Sequence, residues 1–247
     1  MPTVLKLGGS VITEKDREGT LASDRLGSVA AAMAVAEVDG LVLVTGGGSF
    51  GHPAAKRHGV SATDGTRDPV AIAEVHGAML DLVAAVVDEL HGVSVPAVAV
   101  HPLSLAHRDG DDLEVSFDVV EAALAEGFVP VLHGDGVVTA GRGVTILSGD
   151  ELVVALGSHL GADRLGLLTG APGVLDADGA VIERIDRFEE VADLVGTSDS
   201  TDVTGGMAGK VRALLELAVP ASVFGLDDLE AFLAGGEPGT TVLGGHR

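Results

Sequence analysis

Thr45-Gly46-Gly47-Gly48-Ser49-Phe50-Gly51-His52-Pro53 follows the apolar run Leu41-Val42-Leu43-Val44. A short apolar run bounded by turn residues predicts a buried parallel strand. Pro53 suits the first turn of a helix, where a missing N–H costs nothing. The glycines therefore fall between a strand end and a helix start, where backbone N–H groups and the helix dipole favour an anion. Three successive glycines let a ligand reach the main chain without meeting a Cβ. His52 adds a titratable donor beside that anticipated phosphate site. Taken alone, the stretch also suits an ordinary tight turn with a surface histidine. Gly46-x-Gly48-x-x-Gly51 matches the dinucleotide fingerprint as well, but that motif requires an acidic residue at the end of the next strand, about twenty residues on. Residues 60–69 read as loop there, so the match is weak.

Working outward, three more strand-like runs end in glycine turns. Val4-Leu5-Lys6-Leu7 runs into Gly8-Gly9-Ser10, Phe128–Leu132 into His133-Gly134-Asp135-Gly136, and Arg164–Thr169 into Gly170. Lys6 interrupts an apolar strand near its carboxyl end, where open α/β sheets place ligands; a snorkelling edge lysine would look the same. Helical patterns fall at 24–38, 68–92, 116–126, 150–160, 207–218 and 227–233, a hairpin or exposed loop at 107–114, and hairpins at 139–143 and around Asp178-Gly179. This alternation predicts one α/β domain over 1–247, a doubly wound, mostly parallel open sheet in an αβα sandwich, with the glycine turns converging on one crevice. The helix beginning at Asp68-Pro69 is apolar on most faces, which suits a core or a subunit interface. Ile72, Val75 and Met79 recur on its first turns and would wall an apolar pocket beside the central glycine loop. Asp150, near a helix start, suits a cap or a carboxylate that holds lysines in place. Gly205-x-x-x-Gly209-Lys210 falls one residue short of a Walker A loop and has Val211 where a Ser or Thr is needed, so that reading is rejected.

Composition narrows the function classes. The net charge is −22, which argues against nucleic acid and anionic membranes as partners. It suits a protein kept soluble in very high salt, where screening suppresses self-repulsion, so a halophilic, archaeal origin is expected. No apolar run reads as membrane-spanning, cysteines are absent, and the start of the chain lacks a signal-peptide pattern; a cytoplasmic protein is expected. Only four lysines occur (Lys6, Lys15, Lys56, Lys210) against eleven arginines. If an acidic surface has displaced dispensable lysines, the survivors are enriched in those with a role.

Lys6-Leu7-Gly8-Gly9-Ser10, Gly46-Gly47-Gly48-Ser49-Phe50-Gly51-His52-Pro53, Ser148-Gly149-Asp150, Asp202-Val203-Thr204-Gly205-Gly206-Met207 and Gly209-Lys210 together resemble the amino acid kinase superfamily, and within it the isopentenyl phosphate kinases. The pieces stand in family order and span nearly the whole chain. The resemblance implies ATP-dependent phosphorylation of isopentenyl phosphate to isopentenyl diphosphate in archaeal isoprenoid synthesis, with Mg²⁺ accompanying ATP and no dedicated protein metal site. It implies a homodimer in which residues 1–150 bind the acceptor and 151–247 the nucleotide. Lys6, Lys15 and Lys210 would neutralise phosphates and Asp150 would keep the lysines aimed. Gly46, Gly47, Gly149 and His52 would hold the acceptor phosphate. Gly8, Gly9, Ser10, Gly48, Thr169, Gly170 and Gly206 would line the ATP side, together with Lys6 and Lys210. An acceptor already ionised at neutral pH needs no strong base; the difficulty is bringing two anions together. Two departures stand out. Tyr and Trp are absent, and Thr169-Gly170-Ala171-Pro172-Gly173-Val174 varies from the family's more usual Asp-Gly-Val. A fosfomycin-type or other small phosphate or phosphonate kinase shares the same loop. A non-catalytic nucleotide-binding protein for storage or regulation is the alternative of another class.

Overall fold

The computed structural model describes residues 2–36, 39–192, 206–217 and 219–244. The first half contains β1 (Thr3–Leu7), the single turn α1 (Gly9–Ile12), α2 (Ser23–Ala36), β2 (Leu41–Thr45), α3 (Gly48–Arg57), α4 (Pro69–Gly92), β3 (Ala97–Ala99), β4 (Ala106–Asp109), β5 (Asp112–Val115) and α5 (Asp118–Ala125). There follow β6 (Val129–His133), β7 (Asp135–Thr139), β8 (Gly143–Leu147), α6 (Gly149–Leu160), β9 (Arg164–Leu168), β10 (Arg184–Ile185), α7 (Gly206–Leu215), β11 (Ala221–Phe224), α8 (Leu229–Leu233) and β12 (Thr240–Val242).

Eight strands form one sheet in the order β10-β12-β11-β9-β1-β2-β6-β3. Only the β11–β12 pair is antiparallel. β1, β2 and β6 are buried along their whole length, because each face of the sheet carries its own apolar cluster. Val4, Val42, Val44 and Leu132 join Leu152 and Leu156 of α6 on one face. Leu5, Leu43 and Val131 join Val29 of α2 and Leu82 of α4 on the other. Alternate residues thus serve opposite layers, and each fully buried Val or Leu contributes about 1.5–3 kcal/mol. The doubly wound sheet expected from the sequence is the observed one. The register sets Leu7 opposite both Thr45 and Leu168, and Thr45 opposite His133, so the carboxyl ends of four central strands stand level.

Three features depart from the sequence reading. First, the hairpins at 107–114 and 139–143 assemble into a separate four-stranded sheet, β5-β4-β7-β8, held by the parallel β4–β7 pairing; turn signals reveal hairpins but not where they dock. Second, α3 starts at Gly48, so Pro53 is interior to the helix rather than in its first turn. Third, α6 is capped by Ser148, whose Oγ accepts from Glu151 N while Glu151 accepts from Ser148 N, so Asp150 does not serve as the cap. α4 is long and apolar enough to cross a membrane by length and composition alone. Its face of Met79, Leu82, Val83, Val86 and Leu90 nevertheless packs into the sheet's core, while Val70 stands 59% exposed.

Candidate active site

The level strand ends bring the glycine turns into backbone contact. A Cβ placed on Gly9 would lie 2.4 Å from Gly48 Cα, and one on Gly46 would lie 2.9 Å from Gly9 N. Gly48 itself has φ +48, and a Cβ there would strike Thr13 Oγ1, so this position needs glycine for its backbone as well as for space. Gly8 N donates to Leu168 O at 2.9 Å, and a Cβ on Gly170 would lie 3.4 Å from Ser10 Oγ. The loops after β1, β2 and β9 therefore share one crevice, as the sequence anticipated.

Lys6 is buried at the carboxyl end of β1, and its Nζ stands 2.6 Å from Asp150 Oδ1 in the first turn of α6. Both side chains are under a tenth exposed. A lysine and an aspartate this deep persist because each is the other's counter-charge. The Lys6 stem lies beside Gly149, where an added Cβ would come within 3.2 Å of Lys6 Cε. Beyond the lysine, Asp150 has no hydrogen-bond partner among the described residues. Thr169 is buried, its hydroxyl donating to Ala171 O at 2.8 Å.

His52 projects from α3 with its ring against the backbone of Gly47; a Cβ there would sit 3.2 Å from His52 Cδ2. Gly47, His52, Gly51, Val75, Met79, Asp135, Ile146 and Gly149 border a small cavity of about 40 Å³. That is space for one or two waters. Met79 is the adaptable part, its sulfur lying where a Cβ on Gly51 would be 2.6 Å away. Of the three anticipated tail residues, Val75 and Met79 line this cavity and half-buried Ile72 does not. Lys15 is exposed on the turn 14–20. Lys210 is half-buried on α7, which begins at Gly206, and Asp202, Val203, Thr204 and Gly205 lie outside the described residues.

Sequence reasoning missed a polar cluster at the cavity's edge. His76 Nδ1 meets both carboxylate oxygens of the buried Asp135, at 3.0 and 2.9 Å. Gly136 N donates to Asp135 Oδ1 at 2.7 Å. His133 is fully buried; its Nδ1–H donates to Gly134 O at 2.9 Å, so Nε2 accepts from His101 Nδ1 at 3.0 Å. Burial holds the His133 imidazolium pKa below its ordinary value and so favours the neutral ring. The visible signal was His133-Gly134-Asp135 after a strand; its partners on α4 and beyond β3 are remote in sequence. A second missed feature supports the crevice from behind. Buried Arg108 of β4 donates to Glu151 Oε1 at 2.5 Å, bracing the capping box that presents Gly149 and Asp150. Among the described residues no group of three or more His, Asp or Glu is placed to hold a metal ion.

The model of the amino acid kinase family matches residues 1–223. The chain is 54% identical over 245 residues to isopentenyl phosphate kinase of Haloferax volcanii, covering 98% of each protein. It is 34% identical over 226 residues to isopentenyl phosphate kinase of Methanocaldococcus jannaschii, covering 85% of each. A solved structure described as isopentenyl phosphate kinase superposes with a TM-score of 0.85 at 27% identity, covering 98% of this chain and 100% of that one. The strong likeness to a Haloferax protein fits the halophilic reading of the charge.

Proposed function

The chain belongs to the amino acid kinase family, and from that premise we infer that it transfers the γ-phosphoryl group of ATP to isopentenyl phosphate, giving isopentenyl diphosphate. The observation that carries this is the position of Gly149. It borders the cavity that holds the His52 ring on one side and the Lys6–Asp150 pair on the other. An acceptor phosphate seated on the Gly46, Gly47 and Gly149 amides would meet α6's N-terminal dipole. His52 would donate to that phosphate and orient it for in-line attack. Val75 and Met79 would enclose an apolar tail, which a carboxylate acceptor would not require.

On the donor side, Gly8, Gly9, Ser10 and Gly48, with Thr169, Gly170 and Gly206, would cradle the ATP phosphates. Lys6 and Lys210 would neutralise charge as the phosphoryl group moves, and Lys15 would supply a third cation. Asp150 would hold the Lys6 ammonium on the line of transfer. Mg²⁺ would enter on the nucleotide's own phosphates, where it offsets charge and keeps most of its waters. Residues 1–150 would thus hold the acceptor and share the ATP phosphates with 151–247. We further propose a cytoplasmic homodimer that engages neither membrane nor nucleic acid.

The test is a panel assay in molar salt with labelled ATP and Mg²⁺. Isopentenyl phosphate should be phosphorylated far faster than fosfomycin, acetylglutamate or UMP. A preference for fosfomycin or a carboxylate would overturn the acceptor assignment, and ATP binding without turnover would favour a storage or regulatory role.

A further inference from the structure

Pro53 lies inside α3, where it cannot donate to the carbonyl of Ser49, four residues back. That carbonyl is not idle: it accepts the N–H of Gly19 at 2.8 Å. Ser49 is buried and makes two more bonds to the same segment. Its N–H donates to Thr13 Oγ1 at 3.0 Å, and its Oγ donates to Thr20 O at 3.3 Å. One residue of the acceptor loop therefore fastens both ends of the turn 14–20, which Glu14 N and Thr20 O close at 2.9 Å. Gly19, at φ +61, is in the backbone conformation that points its amide at α3. The exposed pair Arg57–Glu18 at 3.1 Å adds little to this attachment.

We propose that Pro53 is a positioning residue: it holds the Ser49 carbonyl open as an anchor, and so docks the Lys15 turn against the loop that carries His52. Thr13 makes the coupling two-sided, because its hydroxyl donates to Gly9 O at 2.6 Å while accepting from Ser49 N. The donor-side turn, the Lys15 turn and the acceptor loop then move as one body. An alanine at position 53 restores the helical N–H, which competes for the same carbonyl and draws it back toward the helix axis. The consequence for turnover rests on the kinase reading above; the anchor itself does not.

The experiment is Pro53→Ala, examined by hydrogen exchange and by steady-state kinetics. Alanine is the better helix former, so thermal stability should stay level or rise. Exchange at the Gly19 amide should nevertheless speed up about tenfold, the worth of one net hydrogen bond. With isopentenyl phosphate and ATP, kcat should fall about as far while the acceptor KM holds, as for an interaction used in the transition state. Adding Lys15→Ala to Pro53→Ala should cost less than Lys15→Ala costs alone, since both act through one group. Unchanged Gly19 exchange would overturn the anchor. Faster exchange with unchanged kcat, or full additivity with Lys15→Ala, would overturn its positioning role. A wild-type protein inactive on isopentenyl phosphate would instead overturn the kinase reading, and the exchange result would still decide the anchor.

Discussion

Lys6 Nζ and Asp150 Oδ1 stand 2.6 Å apart in a site where neither side chain is a tenth exposed. At that depth opposite charges hold the pair together, and removing one member takes a close counter-charge from the other. Asp150→Asn preserves volume but takes a buried counter-charge from the ammonium, and breaking a buried pair typically costs about 3–5 kcal/mol. The variant should melt well below wild type, and kcat should fall by about a hundredfold or more as the lysine loses its aim. Thermal melts and initial rates in molar salt check this; wild-type turnover would show that the lysine needs no guide.

His52 separates hydrogen bonding from charge. His52→Ala should raise KM for the acceptor and lower kcat, with KM for ATP close to wild type, because the ring borders the cavity with Val75 and Met79. His52→Gln keeps a donor that cannot become cationic, so it should fall between the two if hydrogen bonding dominates. If charge dominates, the wild-type rate should lose a limb as pH rises through the imidazole pKa, and that limb should vanish in the Gln variant.

Met79 is the movable wall of a cavity of about 40 Å³. Met79→Ala should enlarge it and shift preference toward longer prenyl phosphates, and Val75→Ala should do so more weakly. Ile72→Ala should leave chain-length selectivity unchanged, since Ile72 is not part of the lining. Competition between five- and ten-carbon monophosphates measures the ratio directly.

His133 makes stability depend on pH. Its folded pKa lies below the ordinary 6.5, through burial and then through the charges of His101 and His76, against the opposing pull of Asp135 and the Gly134 carbonyl. The unfolded chain therefore binds the proton more readily. The contribution is fully present above about 6.5 and is lost as pH falls from there toward the folded value. Melting temperature should drop across that window, and His133→Gln should flatten the drop. An unchanged slope in the variant would place the acid-sensitive group elsewhere.

The alternation of strands and helices, the glycine turns at four strand ends and the kinase motifs were legible in the sequence. Each is a local property: the apolar period, the turn chemistry of Gly and Pro, or a contiguous motif. Lys6 was singled out in the sequence because it breaks an apolar strand close to a glycine turn. Its pairing with Asp150 was not measurable, because the distance depends on how α6 seats against β1. Pro53 was assigned to a first turn because proline favours one; the helix instead begins at Gly48, where contacts from Thr13 and Gly9 settle its start. Only the assembled fold decided what uses the carbonyl that Pro53 leaves open. The same holds for the second sheet, the Arg108 brace and the His76–Asp135 contact. All of these join segments far apart in the chain, so they exist only after the strand registers and helix packing have brought those segments together.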